Sequence, residues 1–245
     1  MQARAAVGAL GRIDLGNVRR DPMLMWLTAF ALTIALAVRW GVPPLTEMLQ
    51  GRFDFDLTPY YPLLLSFVAG ATPGMVGAVI GFLLLDQKDD GTIIALQVTP
   101  LTHRGYLLYR ALTPILLSFA LTLLALPLTG LMTAGGVDLV LISATSAPMA
   151  PLFAFFVASF AANKVQGFAI MKGSGVLSWP ALFAWFLPMP WQLTMGFVPH
   201  YWILKTVWAA ESGEAGAWLY ATAALAFQAL LMLVLLRRFD HVMRR

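Results

Sequence analysis

Long runs without charge recur along the whole chain, separated by short segments that carry the Lys, Arg, Asp and Glu residues. About 20 apolar residues cross a bilayer as a helix. Residues 23–38 form a first run, short unless it extends through Trp40 with Arg39 snorkelling to the interface. Residues 57–85, 111–137, 139–163 and 215–236 are uncharged, and residues 165–187 carry only Lys172 near one end. The period-2 alternation of a transmembrane barrel strand is absent. The pattern predicts an all-α integral membrane protein with six transmembrane helices at about 22–40, 62–85, 107–127, 139–162, 165–187 and 215–236, in a single domain over 1–245. Residues 1–21 read as an N-terminal interfacial helix: Val7, Leu10, Asp14 and Val18 make no clean stripe, but Arg12, Arg19 and Arg20 suit headgroups. Ala35-Leu36-Ala37 resembles a signal-cleavage site, but the 22-residue preamble with Asp14 and Asp21 argues against cleavage.

Composition sharpens the picture. Sixty per cent of the 245 residues are apolar and 11% are charged, against about 25% in soluble domains. These values exclude a soluble globular domain, a disordered chain and a nucleic-acid reader. The net charge of +4 is sided rather than diffuse. With both termini placed inside, thirteen basic residues are cytoplasmic and only Arg39, Arg52 and Lys205 face out. The twelve acids split six and six and decide nothing. The expected location is the inner (cytoplasmic) membrane, multi-pass, with both termini cytoplasmic.

The segment 188–210 interrupts this regularity. Pro188, Pro190 and Pro199 break an uncharged stretch, and Trp191, His200, Tyr201, Trp202 and Trp208 favour an interface. A re-entrant outer hairpin before the last span fits this pattern; a loop lying flat on the bilayer is the alternative. In the second span Gly70, Gly74, Gly77 and Gly81 make a small-residue face, for helix packing or for a dimer seam or pathway beside it. Lys172 either snorkels or attracts an anionic group. His103, His200 and His241 lie far apart, so no metal-ligand spacing and no catalytic set is visible.

The cytoplasmic loop 86–104 carries charges, then a Gly-Thr pair. Thr92 is placed to cap a short helix over 93–98, and Thr99-Pro100 stops it. Its apolar residues either lie on headgroups or dock into a soluble partner.

Here the residues carry a resemblance. Lys88-Asp89-Asp90-Gly91-Thr92, then Leu96, then Thr99-Pro100-Leu101-Thr102 resembles the first cytoplasmic loop of type 2 ABC exporter permeases. Asn163-Lys164-Val165-Gln166-Gly167-Phe168-Ala169, followed by Lys172, is similar to the second cytoplasmic loop of a small-permease branch labelled drug or fluoroquinolone export. Asp86-Gln87-Lys88 departs from the pattern, since many members carry Glu ahead of the Gly-Thr.

The resemblance implies a transport subunit, not an enzyme by itself. Its partners would be a cytoplasmic ABC ATPase, a second permease chain in a homodimer or heterodimer, and membrane lipid; no nucleic acid is expected. Asp90, Gly91, Thr92, Ile93, Ile94, Leu96, Thr99 and Pro100 would form the ATPase-coupling element, and Asn163, Lys164, Gln166 and Gly167 the second cytoplasmic loop. No Gly-rich phosphate loop occurs, so no cofactor is expected on this chain, and ATP and Mg would sit on the partner ATPase. The substrate would be amphipathic: a drug, natural product, lipid or peptide. The rival readings are a six-span substrate-binding component of an importer and a non-catalytic subunit of a membrane assembly.

Overall fold

The computed structural model describes residues 2–89 and 103–243. Among them the secondary structure is helical: α1 (Gln2–Arg20), α2 (Pro22–Phe53), α3 (Tyr61–Asp89), α4 (His103–Leu128), α5 (Gly136–Ser146), α6 (Met149–Phe160), α7 (Lys164–Phe183), α8 (Pro199–Glu211) and α9 (Ala217–Met243). Short 3-10 turns cover Thr58–Tyr60, Ala184–Phe186 and Trp191–Phe197.

Helix ends follow from local chemistry. Asp21 separates α1 from α2 and caps α2, its carboxylate accepting from the Met23 and Leu24 amides at 3.0 and 3.3 Å. Pro22 stands at the first helical position, where its missing N–H costs nothing. Pro199 opens α8 in the same way. The turn after α4 closes through Gly130 at φ +70°, a left-handed conformation that a side chain would strain.

Among the described residues, five helical stretches are long and apolar enough to cross a membrane: Pro22–Phe53, Thr58–Lys88, Gly105–Leu128, Gly136–Phe160 and Ala217–Phe239. The fourth is two helices, α5 and α6, meeting at Ala147-Pro148. α7 is a continuous helix, but Lys164, Gln166, Lys172 and its serines and glycines keep it below that level of hydropathy. α2 runs on past Trp40 to Phe53, through Pro43 and Pro44.

α3 is the axis of the bundle. Its most apolar stretch is 83% buried, against 17–28% for the corresponding stretches of α2, α4 and α9. The latter therefore present apolar faces outward, as lipid-facing helices do. Two cores stack along α3. One joins Leu65, Val68 and Ala69 to Leu126, Ile142, Tyr201, Leu204 and Trp208. The other joins Phe82, Leu83 and Leu85 to Leu24, Tyr106, Phe155 and Phe239.

The second core ends in a charged layer. Lys164 Nζ lies 3.0 Å from Asp86 and 3.4 Å from Asp21, Lys88 Nζ donates to the Ala161 carbonyl at 3.4 Å, and Arg238 stacks on Phe160 at 4.0 Å. Arg110 joins Asp14 in the same end of the bundle. At the other end Arg39 donates to the Leu128 carbonyl, and the Glu211 carboxylate accepts from Thr133 N and Oγ1 at 3.0 and 2.6 Å.

Candidate functional site: two cavities around α7

Close packing along α3 explains where space remains. A Cβ at Gly77 would collide with the Ala150 carbonyl oxygen and lie 2.8 Å from Phe153 Cβ. One at Gly81 would sit 3.3 Å from Val157 Cβ. These two glycines let α6 pack directly on the α3 backbone. Gly70 and Gly74 serve a different space. Nothing lies within 4 Å of a Cβ at Gly74, and a Cβ at Gly70 would fall on the His200 imidazole. Both line a cavity of about 230 Å³ between α2, α3 and α7, walled by Phe30, Phe67, Met75 and Trp179.

A second cavity, of about 360 Å³, adjoins the first along the Ser174 and Ser178 face of α7. Phe156, Phe160, Leu231 and Val234 from α6 and α9 wall it. Met149, Phe153, Ser174, Ser178 and His200 border both spaces. The lining is aromatic and thioether-rich, which suits varied apolar shapes. Ser174 and Ser178 donate back to the Met171 and Ser174 carbonyls, at 2.9 and 3.2 Å.

The start of α7 is built by a reciprocal cap. Asn163 Oδ1 accepts from the Gln166 amide at 3.0 Å, and Gln166 Oε1 accepts from the Ala162 amide at 2.9 Å. Gly167 follows because a Cβ there would press on Leu85 and Phe82 at 2.8 and 3.0 Å. Lys164, at the first position of the helix, touches α3 and the α1–α2 junction. Partial burial opposes its charge, but Asp86 and Asp21 more than offset this and raise its pKa above the ordinary lysine value. Asn163 thus caps α7, and Lys164, Gln166 and Gly167 lie in its first turns. Lys172 is exposed on α7 and borders neither cavity.

The coupling residues Asp90, Gly91, Thr92, Ile93, Ile94, Leu96, Thr99 and Pro100 lie outside the described residues. The helices that flank them are joined by a network that the sequence reading missed. Asp14 and Arg110, both buried, form a two-point pair, Nη1–Oδ2 at 2.8 Å and Nη2–Oδ1 at 3.0 Å. Tyr109 donates to Asp14 at 2.8 Å, and Tyr106 donates to Gln87 Oε1 at 2.7 Å. Arg110 lies 5.5 and 5.4 Å from the Tyr106 and Tyr109 ring centres. The weak stripe of α1 therefore carries one deeply packed carboxylate, and Arg110, one of the basic residues placed on the cytoplasmic side, is an internal group. The available signal was an arginine and two tyrosines opening an otherwise apolar run.

Lys205 also departs from expectation. Counted among outward-facing basic residues, it is buried, donating to Gln192 Oε1 at 2.9 Å above the Tyr220 ring. Glu211 clamps the 133–134 turn. Asp56 accepts from the Thr58 amide, and its hydrogen bonds to Thr58 lower its pKa.

Among the described residues the chain is a helical bundle with several helices apolar enough to span a bilayer and apolar cavities against its central helix, the architecture of a multi-pass membrane protein. A sequence model described as fluoroquinolones export permease protein Rv2686c-like matches residues 14–236, and the chain belongs to that family. Two relatives, the fluoroquinolones export permease proteins MT2760 and Rv2686c of Mycobacterium tuberculosis strains CDC 1551 / Oshkosh and H37Rv, are each 33% identical over 238 residues. The match spans 96% of this chain and 94% of each relative. No solved structure matches the chain. The chain is an export permease of this family.

Proposed function

We propose that the chain is the transmembrane subunit of an ATP-driven ABC exporter that moves an amphipathic, fluoroquinolone-like substrate out of the cytoplasm. The observation that carries this reading is the end-to-end likeness to two export permeases, 33% identical over 96% of the chain. The cavities supply a place for an apolar, ring-bearing cargo.

In this reading the protein lies in the inner membrane with both termini cytoplasmic. α7 provides a sixth span, tolerating its polar residues because α3, α6 and α8 pack against it. The 3-10 turn Trp191–Phe197 and α8 form an outer re-entrant hairpin. At 1.5 Å per residue, the 13 residues of α8 reach about 20 Å, too short to cross. Its residues from Ile203 to Ala210 are buried in protein, the condition under which such backbone is tolerated at membrane depth.

Two permease chains pair, and each meets a cytoplasmic ATPase through residues 92–98, with 163–167 alongside. ATP and Mg bind to the ATPase. Closure of the ATPases pushes the loop between α3 and α4. The Tyr106–Gln87 bond ties those two helices together beside the loop, and Arg110–Asp14 ties α4 to α1. The push therefore reaches α3 as a unit. α3 is locked to α6 at Gly77 and Gly81, so its movement alters the wall carrying Gly70 and Gly74 against α7.

The test is retention of the ATPase. A tagged chain co-expressed with its cognate ATPase should purify with it, and Ile94→Asp or Leu96→Asp should abolish retention while the permease stays folded. A folded wild-type permease that retains no ATPase contradicts the proposal.

A further inference from the structure

Two apolar cavities that adjoin along the Ser174 and Ser178 face of α7 are bordered by one imidazole. His200 stands at the second position of α8, after the helix-opening Pro199, and lines both spaces. Its ring lies so close to α3 that a Cβ at residue 70 would overlap Nε2 and Cε1. A glycine at that position is what lets the ring occupy this place.

The other polar groups along the walls are spent or peripheral. The Ser174 and Ser178 hydroxyls donate into the α7 backbone. The Trp179 indole sits on a side chain that is 53% exposed, at the rim. Among the described residues no group hydrogen-bonds to the His200 imidazole. A neutral imidazole offers one donor and one acceptor. In a site with aromatic and methionine walls, a single such group fixes the orientation of a ligand that the walls bind without direction.

We propose that His200 is the polar anchor of a substrate site formed from both cavities. The site takes a planar aromatic molecule whose edge carries a carboxylate or keto oxygen. The ring body lies among Phe67, Phe153 and Met149, and the oxygen accepts from the imidazole N–H. Gly70 is a positioning residue for the imidazole. The inference rests on the exporter reading for its substrate class but names the group that recognises it.

The probe is levofloxacin, a fluorescent ring system with a keto-acid edge; anthracene, flat and without hydrogen-bonding atoms, is the control. Binding of each to the purified permease in nanodiscs is compared for wild type, His200→Phe, His200→Gln and Gly70→Ala, with ATPase retention measured on the same preparations. Loss of one buried hydrogen bond corresponds to about tenfold in affinity. His200→Phe and Gly70→Ala should weaken levofloxacin about tenfold and leave anthracene within about twofold, while His200→Gln recovers most of the loss. His200→Leu replaces His200→Phe if the larger ring impairs folding.

Levofloxacin binding unchanged in His200→Phe overturns the inference. So does equal loss of both probes, which marks His200 as structural, and so does failure of wild type to bind levofloxacin, which leaves the cavities to lipid. Each of these with the ATPase still retained leaves the exporter assignment standing. Loss of ATPase retention in wild type fails that assignment instead.

Discussion

The Arg110 guanidinium meets the Asp14 carboxylate at two points, 2.8 and 3.0 Å, and binds residues 96 positions apart within a bundle of apolar helices. Both charges are buried, the arginine to 1% exposure. Removing one partner of such a pair strands the other and costs about 3–5 kcal/mol, whereas replacing both by apolar groups costs far less. Asp14→Leu and Arg110→Met should each lower the unfolding free energy by about that amount. The double variant should fall well short of the sum of the two, and a double-mutant cycle on detergent-solubilised protein measures this coupling.

The α3 glycines separate by function when each is enlarged. Gly77→Ala forces a Cβ onto the Ala150 carbonyl and Phe153, an overpacking worth about 1–3 kcal/mol. Its thermal midpoint should drop. Gly74→Ala meets no atom within 4 Å and should leave the midpoint in place. Gly74→Leu should fill the α2–α3–α7 cavity and reduce transport with little loss of stability, as read by paired efflux and melting measurements.

The cap of α7 is open to a local test. Asn163→Ala removes an acceptor for the Gln166 amide and should cost about 1 kcal/mol. Hydrogen exchange should quicken in the first turn of α7 while the centre of α3 stays protected.

Lys164 gives a pH signature. Its pKa is raised in the folded state, so its stabilisation is fully present below the ordinary lysine pKa of 10.5 and is lost as pH rises through the higher folded value. With a partly exposed side chain, the ion pairs contribute about 0.2–1 kcal/mol. The stability gap between wild type and Lys164→Met should be constant from neutral pH to about 10 and shrink above 10.5.

Much of the architecture was legible from hydropathy alone. The uncharged runs near 62–85, 111–137 and 215–236 coincide with helices apolar enough to span. The boundaries were less legible, because lipid-facing and buried apolar residues look alike in sequence. α2 continues past Arg39, whose side chain reaches the Leu128 carbonyl. The glycine spacing in α3 flagged a close approach, but which glycines pack and which line a cavity depends on where α6 and α8 cross. The Asp14–Arg110 pair and the seat of His200 over Gly70 join residues 96 and 130 positions apart, and no local pattern records such pairings. Polarity was misleading at Lys205, whose charge reads as solvated but is held by Gln192 and Tyr220.

Sidedness is tested by reporters. The charged layer around Lys164, Lys88, Arg110 and Arg238 is expected to face the cytoplasm. A reporter after Arg245 should be cytoplasmic and one at Arg52 external; both on one side would contradict the orientation.

The most direct measurement is transport itself. Inverted membrane vesicles carrying the chain and its cognate ATPase are given levofloxacin with ATP, or with a non-hydrolysable analogue. ATP-dependent accumulation that disappears with the analogue, without the chain, and in Ile94→Asp is the predicted result. Accumulation equal in the presence and absence of ATP hydrolysis, or unchanged when the chain is omitted, would contradict an ATP-driven export permease.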